Sequence, residues 1–257
     1  MTTAFLDIAG RARIYYREAG AGAPLVFLHG GWGYEVYPFD RAIAVLSGRF
    51  RILIPDRSGY GRSTPLAKLP VDFHRLAAIE MTRFLDALKI ERAVLWGHSD
   101  GAVIAALMAL DEPQRFKGVI FEAFHYTKAK TGSVGFFRQM ISEPEVVGGR
   151  ASLALARDHG EEWREVLDRN ATAWLEIVEA GSEDLYDGRL SELQVPALFI
   201  HGGRDPRTEP GDLEAIRREL PRAEIRILEA AGHSPHSEPG SADECVRVAA
   251  EFLDRVS

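Results

Sequence analysis

The chain has 257 residues, of which 46% are hydrophobic and 27% charged, a balance suited to one large folded core or a core with a small insertion. A formal net charge of −7 at pH 7 excludes a general nucleic-acid binder, because phosphate recognition needs a basic field. One cysteine, Cys245, excludes an intramolecular disulfide and a cysteine-rich metal site.

The N-terminus carries no basic segment followed by an apolar run. No stretch approaches the roughly 18 apolar residues of a membrane span. The expectation is a cytoplasmic protein with no membrane and no nucleic-acid partner. In chain order, Phe5–Ile8 and Arg13–Tyr16 read as two antiparallel strands joined by a turn at Ala9-Gly10. Then come short apolar runs at Pro24–Leu28, Arg51–Ile54, Ala93–Trp96, Gly118–Phe121, Ala197–Ile200 and Ile225–Leu228, each suited to a strand buried on both faces of a parallel sheet.

Helical patterns alternate with these runs. Phe73–Leu88 carries an apolar stripe at Leu76, Ile79, Phe84, Leu85 and Leu88, and Ala102–Leu110 is apolar nearly all round, as a helix packed centrally on a sheet should be. Leu213–Leu220 and Glu244–Val256 are further helices. Strands alternating with helices imply a mostly parallel sheet. From Tyr126 to Leu190 that rhythm stops. Phe136–Ile141, Ala151–Arg157 and Trp163–Val178 look helical, and the segment reads as a helical lid over residues 126–190. Residues 1–125 and 191–257 then form the α/β core. Trp163 and Trp174 in the lid are expected as packing residues.

Gly97-His98-Ser99-Asp100-Gly101 lies between the strand ending at Trp96 and the apolar helix. A G-x-S-x-G nucleophile elbow needs this strand-turn-helix setting, with glycines two residues either side of a turn too sharp for neighbouring side chains. A serine hydroxyl needs a base to remove its proton, and His233 follows the last strand at the same sheet edge. His236 is its local competitor. The base needs a carboxylate to fix its tautomer, and Asp205 stands in the Gly-rich turn after the preceding strand. Glu122, just past another strand end, is the alternative acid or else a pocket-wall residue. Asp205 could instead cap the helix starting near Thr208. Even so, Ser99, Asp205 and His233 fall at strand ends in the order this kind of site uses.

His29-Gly30-Gly31-Trp32-Gly33 follows the first buried strand. Its backbone can approach a substrate oxygen, so the Gly31 and Asp100 amides are the candidate oxyanion hole. Trp32, Asp100 and Glu122 are candidate substrate contacts. Pro55–Ser63, PDRSGYGRS, reads as a structural turn.

The set HGGWG, PDRSGYGRS, GHSDG, HGGRDP and AGHSPHSEPG resembles the α/β-hydrolase family. Within it, the SDG elbow and the HGxxDP and GH segments are most similar to carboxylesterases of the biphenyl-hydrolase-like, or valacyclovirase, group. The resemblance implies the α/β-hydrolase fold and ester hydrolysis without metal or organic cofactor. It implies a triad of Ser99, Asp205 and His233, with oxyanion donors at Gly31 and Asp100. Relatives with an SDG elbow hydrolyse esters bearing a free α-amino group. That would turn the Asp100 carboxylate into the pocket to meet a cationic small-molecule substrate; the alternative is that Asp100 bonds a nearby lid or loop donor.

No H-E-x-x-H, P-loop or complete G-x-G-x-x-G occurs in the sequence, so neither metal nor nucleotide chemistry is expected. Serine at the elbow disfavours dehalogenases and epoxide hydrolases, which resemble this fold but place Asp there. Lactone, C–C bond or amide hydrolysis, perhydrolysis and slow-turnover ligand reception all fit the same scaffold.

Overall fold

Apolar runs of four or five residues are too short for helices but can pair on both sides of a sheet. In the computed structural model, which describes residues 1–9, 12–181 and 184–257, every expected run becomes a strand. They are β1 (Thr2–Ile8), β2 (Ala12–Ala19), β3 (Ala23–Leu28), β4 (Phe50–Pro55), β5 (Ala93–His98), β6 (Phe116–Glu122), β7 (Ala197–Gly202) and β8 (Glu224–Leu228). The turn expected at Ala9-Gly10 reaches Gly10, which lies outside the described residues.

The eight strands form one sheet in the order β1-β2-β4-β3-β5-β6-β7-β8. β1 and β2 pair antiparallel, β2 pairs antiparallel with β4, and the rest of the sheet is parallel. All six residues of β5 are buried, which explains why its sequence does not alternate. The chain leaves β3 for β4 on one side and returns to β5 on the other. Connections therefore diverge between the carboxyl ends of β3 and β5, and such a switch point opens the crevice where α/β proteins bind ligands.

Helices cover both faces. α1 (Asp40–Leu46) and α8 (Ala242–Val256) pack on one side, around Phe27, Phe39, Trp96 and Phe252. α2 (Phe73–Ala87) and α3 (Asp100–Asp111) pack on the other, around Phe84, Leu107 and Met108. α1 has no counterpart among the expected elements. Its seven residues bury only Ala42 and Leu46, too few to establish a helical period. α3 begins at Asp100, two residues before the apolar pattern does, because the helix starts directly from the turn at Ser99.

α4 (Val134–Ser142), α5 (Gly149–His159) and α6 (Trp163–Glu179) lie between β6 and β7, and α7 (Pro210–Glu219) follows β7. The inserted helices are tied to the loops at the carboxyl ends of β3 and β4. Asp158, at the end of α5, accepts the Glu35 N–H at 3.3 Å and faces the buried Arg17 guanidinium at 3.6 Å. Next to it, His159 accepts the Gly61 N–H at 3.0 Å and donates to the Trp32 carbonyl at 3.0 Å. Arg17 also pairs with Asp56 at 2.6 Å. Burial pushes the Asp56 carboxyl up to about 6, against the pull of Arg17. No described helix is long and apolar enough to cross a membrane.

The crossing of α3 over β3 leaves no room for a side chain at Gly101, where a methyl would overlap the Leu28 carbonyl oxygen. Gly101→Ala should therefore lose about 1–3 kcal/mol of stability through overpacking. Gly135 in α4 has open space around it, and Gly135→Ala should be neutral or gain up to about 1 kcal/mol. Urea unfolding of both variants checks the contrast. Equal midpoints for the two would show that the close approach at Gly101 is not constraining.

Candidate active site

Ser99 is the single residue between β5 and α3, and its backbone takes φ 54 and ψ −119. A non-glycine residue with positive φ is strained by about 1–3 kcal/mol and persists only where its surroundings enforce it. Here they do. The Ser99 N–H donates to the Glu122 carbonyl at 2.9 Å, and its own carbonyl accepts the Ala102 N–H at 2.8 Å. A methyl on Gly97 would overlap the Gly101 carbonyl, so this turn closes only between two glycines. The strain holds the hydroxyl over the switch point.

Two neighbouring loops meet beside it. The turn after β7 and the loop after β8 touch backbone to backbone: a methyl on Gly202 would overlap the Gly232 carbonyl. The Arg204 N–H donates to the Ala231 carbonyl at 2.9 Å. That contact places Asp205 against His233, whose Nδ1–H faces the two carboxylate oxygens at 3.0 and 2.9 Å. The Arg207 N–H and the Thr208 hydroxyl also donate to Asp205, at 2.9 and 3.0 Å. Burial alone would raise the Asp205 carboxyl, but His233 and these donors hold it well below the usual carboxylate range. The helix-end role considered for Asp205 is not formed: α7 starts at Pro210 with Glu209 as its N-cap residue, and the Asp205 bonds to Arg207 and Thr208 close the turn that precedes it.

Burial lowers the His233 pKa from its ordinary value, partly offset by Asp205 and reinforced by Arg207. With Nδ1–H given to Asp205, Nε2 carries the lone pair. It is buried without a hydrogen-bond partner. The structure does not join it to Ser99. Ser99 Oγ instead lies 3.4 Å from Nε2 of a second histidine, His125, whose ring stacks on that of His233 at 5.9 Å and 15°. Burial and the nearby Lys130 keep the His125 pKa well below its ordinary value.

The loop after β3 is shaped by Arg57. This buried side chain donates to the Gly30 carbonyl at 2.8 Å, and the Arg57 N–H donates to His29 Nε2 at 3.1 Å. A trans peptide points its N–H opposite to its carbonyl, so a Gly30 carbonyl turned to Arg57 aims the Gly31 N–H away from it. Gly31 lines the same small cavity as Ser99, Asp100 and Trp32. The Asp100 N–H belongs to the first turn of α3, where amides lack an intrahelical acceptor.

Two candidate substrate contacts are engaged by other groups of the protein. The Asp100 carboxylate borders the cavity but is not free in it. It accepts from His74 Nε2 at 3.3 Å, Asn170 Nδ2 at 3.1 Å and Trp174 Nε1 at 3.0 Å. Burial would raise its pKa, but these donors and Arg57 bring it down to about 2. Of the two roles considered for Asp100, the bond to nearby donors is the one formed, from His74 on α2 and from Asn170 and Trp174 on α6. Trp174 is accordingly more than a packing residue.

Glu122 is not a pocket-wall residue. It is fully buried and accepts from Trp96 Nε1 at 2.9 Å, the His236 N–H at 3.0 Å and His236 Nδ1 at 2.7 Å. Burial would raise its pKa, but His236 outweighs that and lowers it to about 2. His236 Nε2 donates to the Tyr37 carbonyl at 2.9 Å, so neither ring nitrogen is available to Ser99. His98, Glu122 and His236 bring possible metal-ligand atoms within 4.8 Å of one another. Glu122 already takes three donors there, two of them from His236, while His98 Nε2 is engaged with the His233 carbonyl and the Ser234 hydroxyl at 3.1 and 3.0 Å.

His125, Asn170, Lys130 and Arg207 complete the cavity wall without having been singled out from sequence. His125 had a signal: like Ser99 and Asp205, it lies just past the end of a strand at the same sheet edge. Asn170 and Trp174 are four apart on one helix, a spacing that puts both on one face. Lys130 and Arg207 had no such signal.

A model of the "Alpha/beta hydrolase family" matches residues 25–248. The chain is 27% identical over 247 residues to a pimeloyl-(acyl-carrier protein) methyl ester esterase of Pectobacterium atrosepticum, covering 87% of this chain and 92% of that one. It is 26% identical over 262 residues to serine hydrolase BPHL of Homo sapiens, covering 98% and 87%. Among solved structures, an E-2-(acetamidomethylene)succinate hydrolase shares the fold with a TM-score of 0.76 at 19% identity, covering 98% of this chain and 99% of that one. The strained serine between β5 and α3, the sheet order and a match across most of the sequence agree: the chain belongs to the alpha/beta hydrolase family.

Proposed function

We propose that the protein is a serine hydrolase that cleaves a small-molecule carboxylic ester through an acyl-enzyme on Ser99. The observation that carries this reading is the His233–Asp205 pair, with the His233 Nε2 lone pair buried and unclaimed beside a serine held in a strained turn. Two relatives named as an esterase and a serine hydrolase support it.

Each step follows from a named atom. Ser99 Oγ attacks the ester carbonyl while its proton passes to His233 Nε2, and Asp205 stabilises the imidazolium. The Gly31 and Asp100 N–H groups receive the oxyanion. His233 then returns the proton to the departing alcohol oxygen, leaving the acyl-enzyme. Water gives a proton to His233 and attacks the acyl carbon; His233 then returns that proton to Ser99 Oγ as its bond to the acyl carbon breaks, which releases the acid and restores the serine. In the resting structure the hydroxyl leans to His125, so a staggered rotation about the Ser99 Cα–Cβ bond is the step that brings it to His233. The cavity over Ser99 is about 20 Å³, room for about one water. Ligand pockets are typically some hundreds of Å³, so the inserted helices act as a lid that must shift to admit substrate.

Removing the nucleophile of a triad costs about 10⁶ in kcat. Ser99→Ala should abolish hydrolysis and fluorophosphonate labelling while the circular dichroism spectrum stays native. Labelling retained at wild-type level would place the nucleophile elsewhere.

The base must be neutral to act, and His233 has a lowered pKa. Activity is therefore full above that pKa and falls as pH drops through it. The acid limb of kcat/KM should have its midpoint below about 6.5, the ordinary histidine value. A midpoint at or above that value would contradict a buried, neutral base.

With His74, Asn170 and Trp174 already donating to it, the Asp100 carboxylate is committed to the protein and not to a substrate ammonium group. Hydrogen bonds to a charged group are worth about 1.5–3 kcal/mol, so Asp100→Asn should destabilise the fold by about that much. It should lower kcat/KM equally for an amino-acid ester and its N-acylated counterpart. A loss confined to the amino-acid ester would instead restore Asp100 as an amine receptor.

A further inference from the structure

Of the charges around the cavity, most are already answered. Asp100 takes three donors. Lys130 Nζ donates to Asp212 at 2.9 Å, and that carboxylate also accepts the Tyr126 and Thr127 N–H groups. Asp205 is held by His233. Arg207 is the exception. Its guanidinium has no carboxylate within ion-pair distance among the described residues, yet it lies over the Trp32 ring at 4.6 Å and the Phe136 ring at 5.3 Å. Its backbone N–H is bonded to Asp205, which fixes the chain two residues beyond the proposed triad acid.

Arg207 also stands where two spaces meet. Trp32, Tyr37 and Arg207 line the Ser99 cavity, and the same three line a more open groove of about 370 Å³. Phe136, Val146 and Val147 give that groove an apolar wall. Glu238 borders it as well, but its two oxygens accept the Gly232 and Ser234 N–H groups at 2.7 and 2.9 Å. The charges in the groove without an ion-pair partner among the described residues are therefore positive, Arg207 and Arg150, and the Arg207 side chain also hydrogen-bonds the Tyr37 side chain. A guanidinium stacked on aromatic rings keeps its in-plane N–H fork for a bidentate anion, and stacking reduces the side-chain freedom lost on binding.

We propose that this groove is a second subsite of the enzyme, and that Arg207 there binds an anionic group, carboxylate or phosphate, carried by the ester or its product. The inference rests on the proposed ester hydrolysis for its substrate class, but not for the anion site itself. An ester with one charged end would lie with its apolar stretch against Phe136 and Val147 and its carbonyl at Ser99.

The test separates the two. Ser99→Ala protein, with and without Arg207→Gln, is titrated calorimetrically with a dicarboxylic acid monomethyl ester, the matching dimethyl ester and a phosphate-bearing ester of equal length. The parent should bind an anionic ester about 10- to 150-fold more tightly than the neutral one, the range for a charge-assisted bond. Arg207→Gln should remove that preference, and the tighter of the two anions identifies the natural group. Equal binding of charged and neutral esters, or a preference that survives Arg207→Gln, overturns the proposal. The ratio of kcat/KM for anionic over neutral ester in otherwise wild-type protein should fall by the same factor. Arg207 also lowers the His233 pKa, and a role limited to that would shift the acid limb for both esters and leave their ratio unchanged. Preferential binding without any turnover would retain the anion site and discard the esterase.

Discussion

Everything at the proposed catalytic edge depends on backbones approaching too closely for side chains. Gly97 meets the Gly101 carbonyl, Gly101 meets the Leu28 carbonyl, and Gly202 meets the Gly232 carbonyl. The first two contacts force Ser99 into positive φ and bring β3, β5 and α3 together at the switch point. The third joins the Asp205 turn to the His233 loop. Backbone contacts of this kind have little freedom to relax, so they set the positions of Ser99, Asp205 and His233 more tightly than side-chain packing could. The strain at Ser99 is sustained by a mostly parallel sheet whose central strand β5 is wholly buried.

Burial has an electrostatic consequence. A buried carboxylate is costly unless hydrogen-bonded, and the three acids near Ser99 each solve this with different donors. Asp205 uses His233, Glu122 uses His236 and Trp96, and Asp100 uses His74, Asn170 and Trp174. Two of those partners, Asn170 and Trp174, come from α6. The Asp100 carboxylate therefore ties α6 to the start of α3, while its amide is the one proposed as an oxyanion donor.

The inserted helices have a second anchorage at the end of α5, where Asp158 and His159 grip the loops after β3 and β4. α4, which precedes both anchorages in the chain, carries Phe136 and borders the outer groove. With α5 and α6 each tied to the core through buried polar groups, α4 is the part of the insertion whose contacts at the groove are mainly apolar.

The strands, the central helix and the order Ser99, Asp205, His233 were legible in the sequence because local rules govern them. A buried parallel strand needs an unbroken apolar run, and a strand-turn-helix elbow needs glycines at fixed offsets. α1 was not legible, since seven residues with two buried positions carry no period. Nor was the partner of each polar group. Sequence left Glu122 open as a second acid and Asp100 as an amine receptor; those roles turn on which donors arrive from β5, α2, α6 and the His236 loop, and only the packing of distant segments decides that. The same holds for His125 beside Ser99 and for Arg207 between its two rings. Sequence determined the chemistry available at the sheet edge, because spacing along a strand or turn is a local property. Tertiary structure decided which of those groups are already satisfied and which remain free, because hydrogen bonding and charge pairing are properties of neighbours in space.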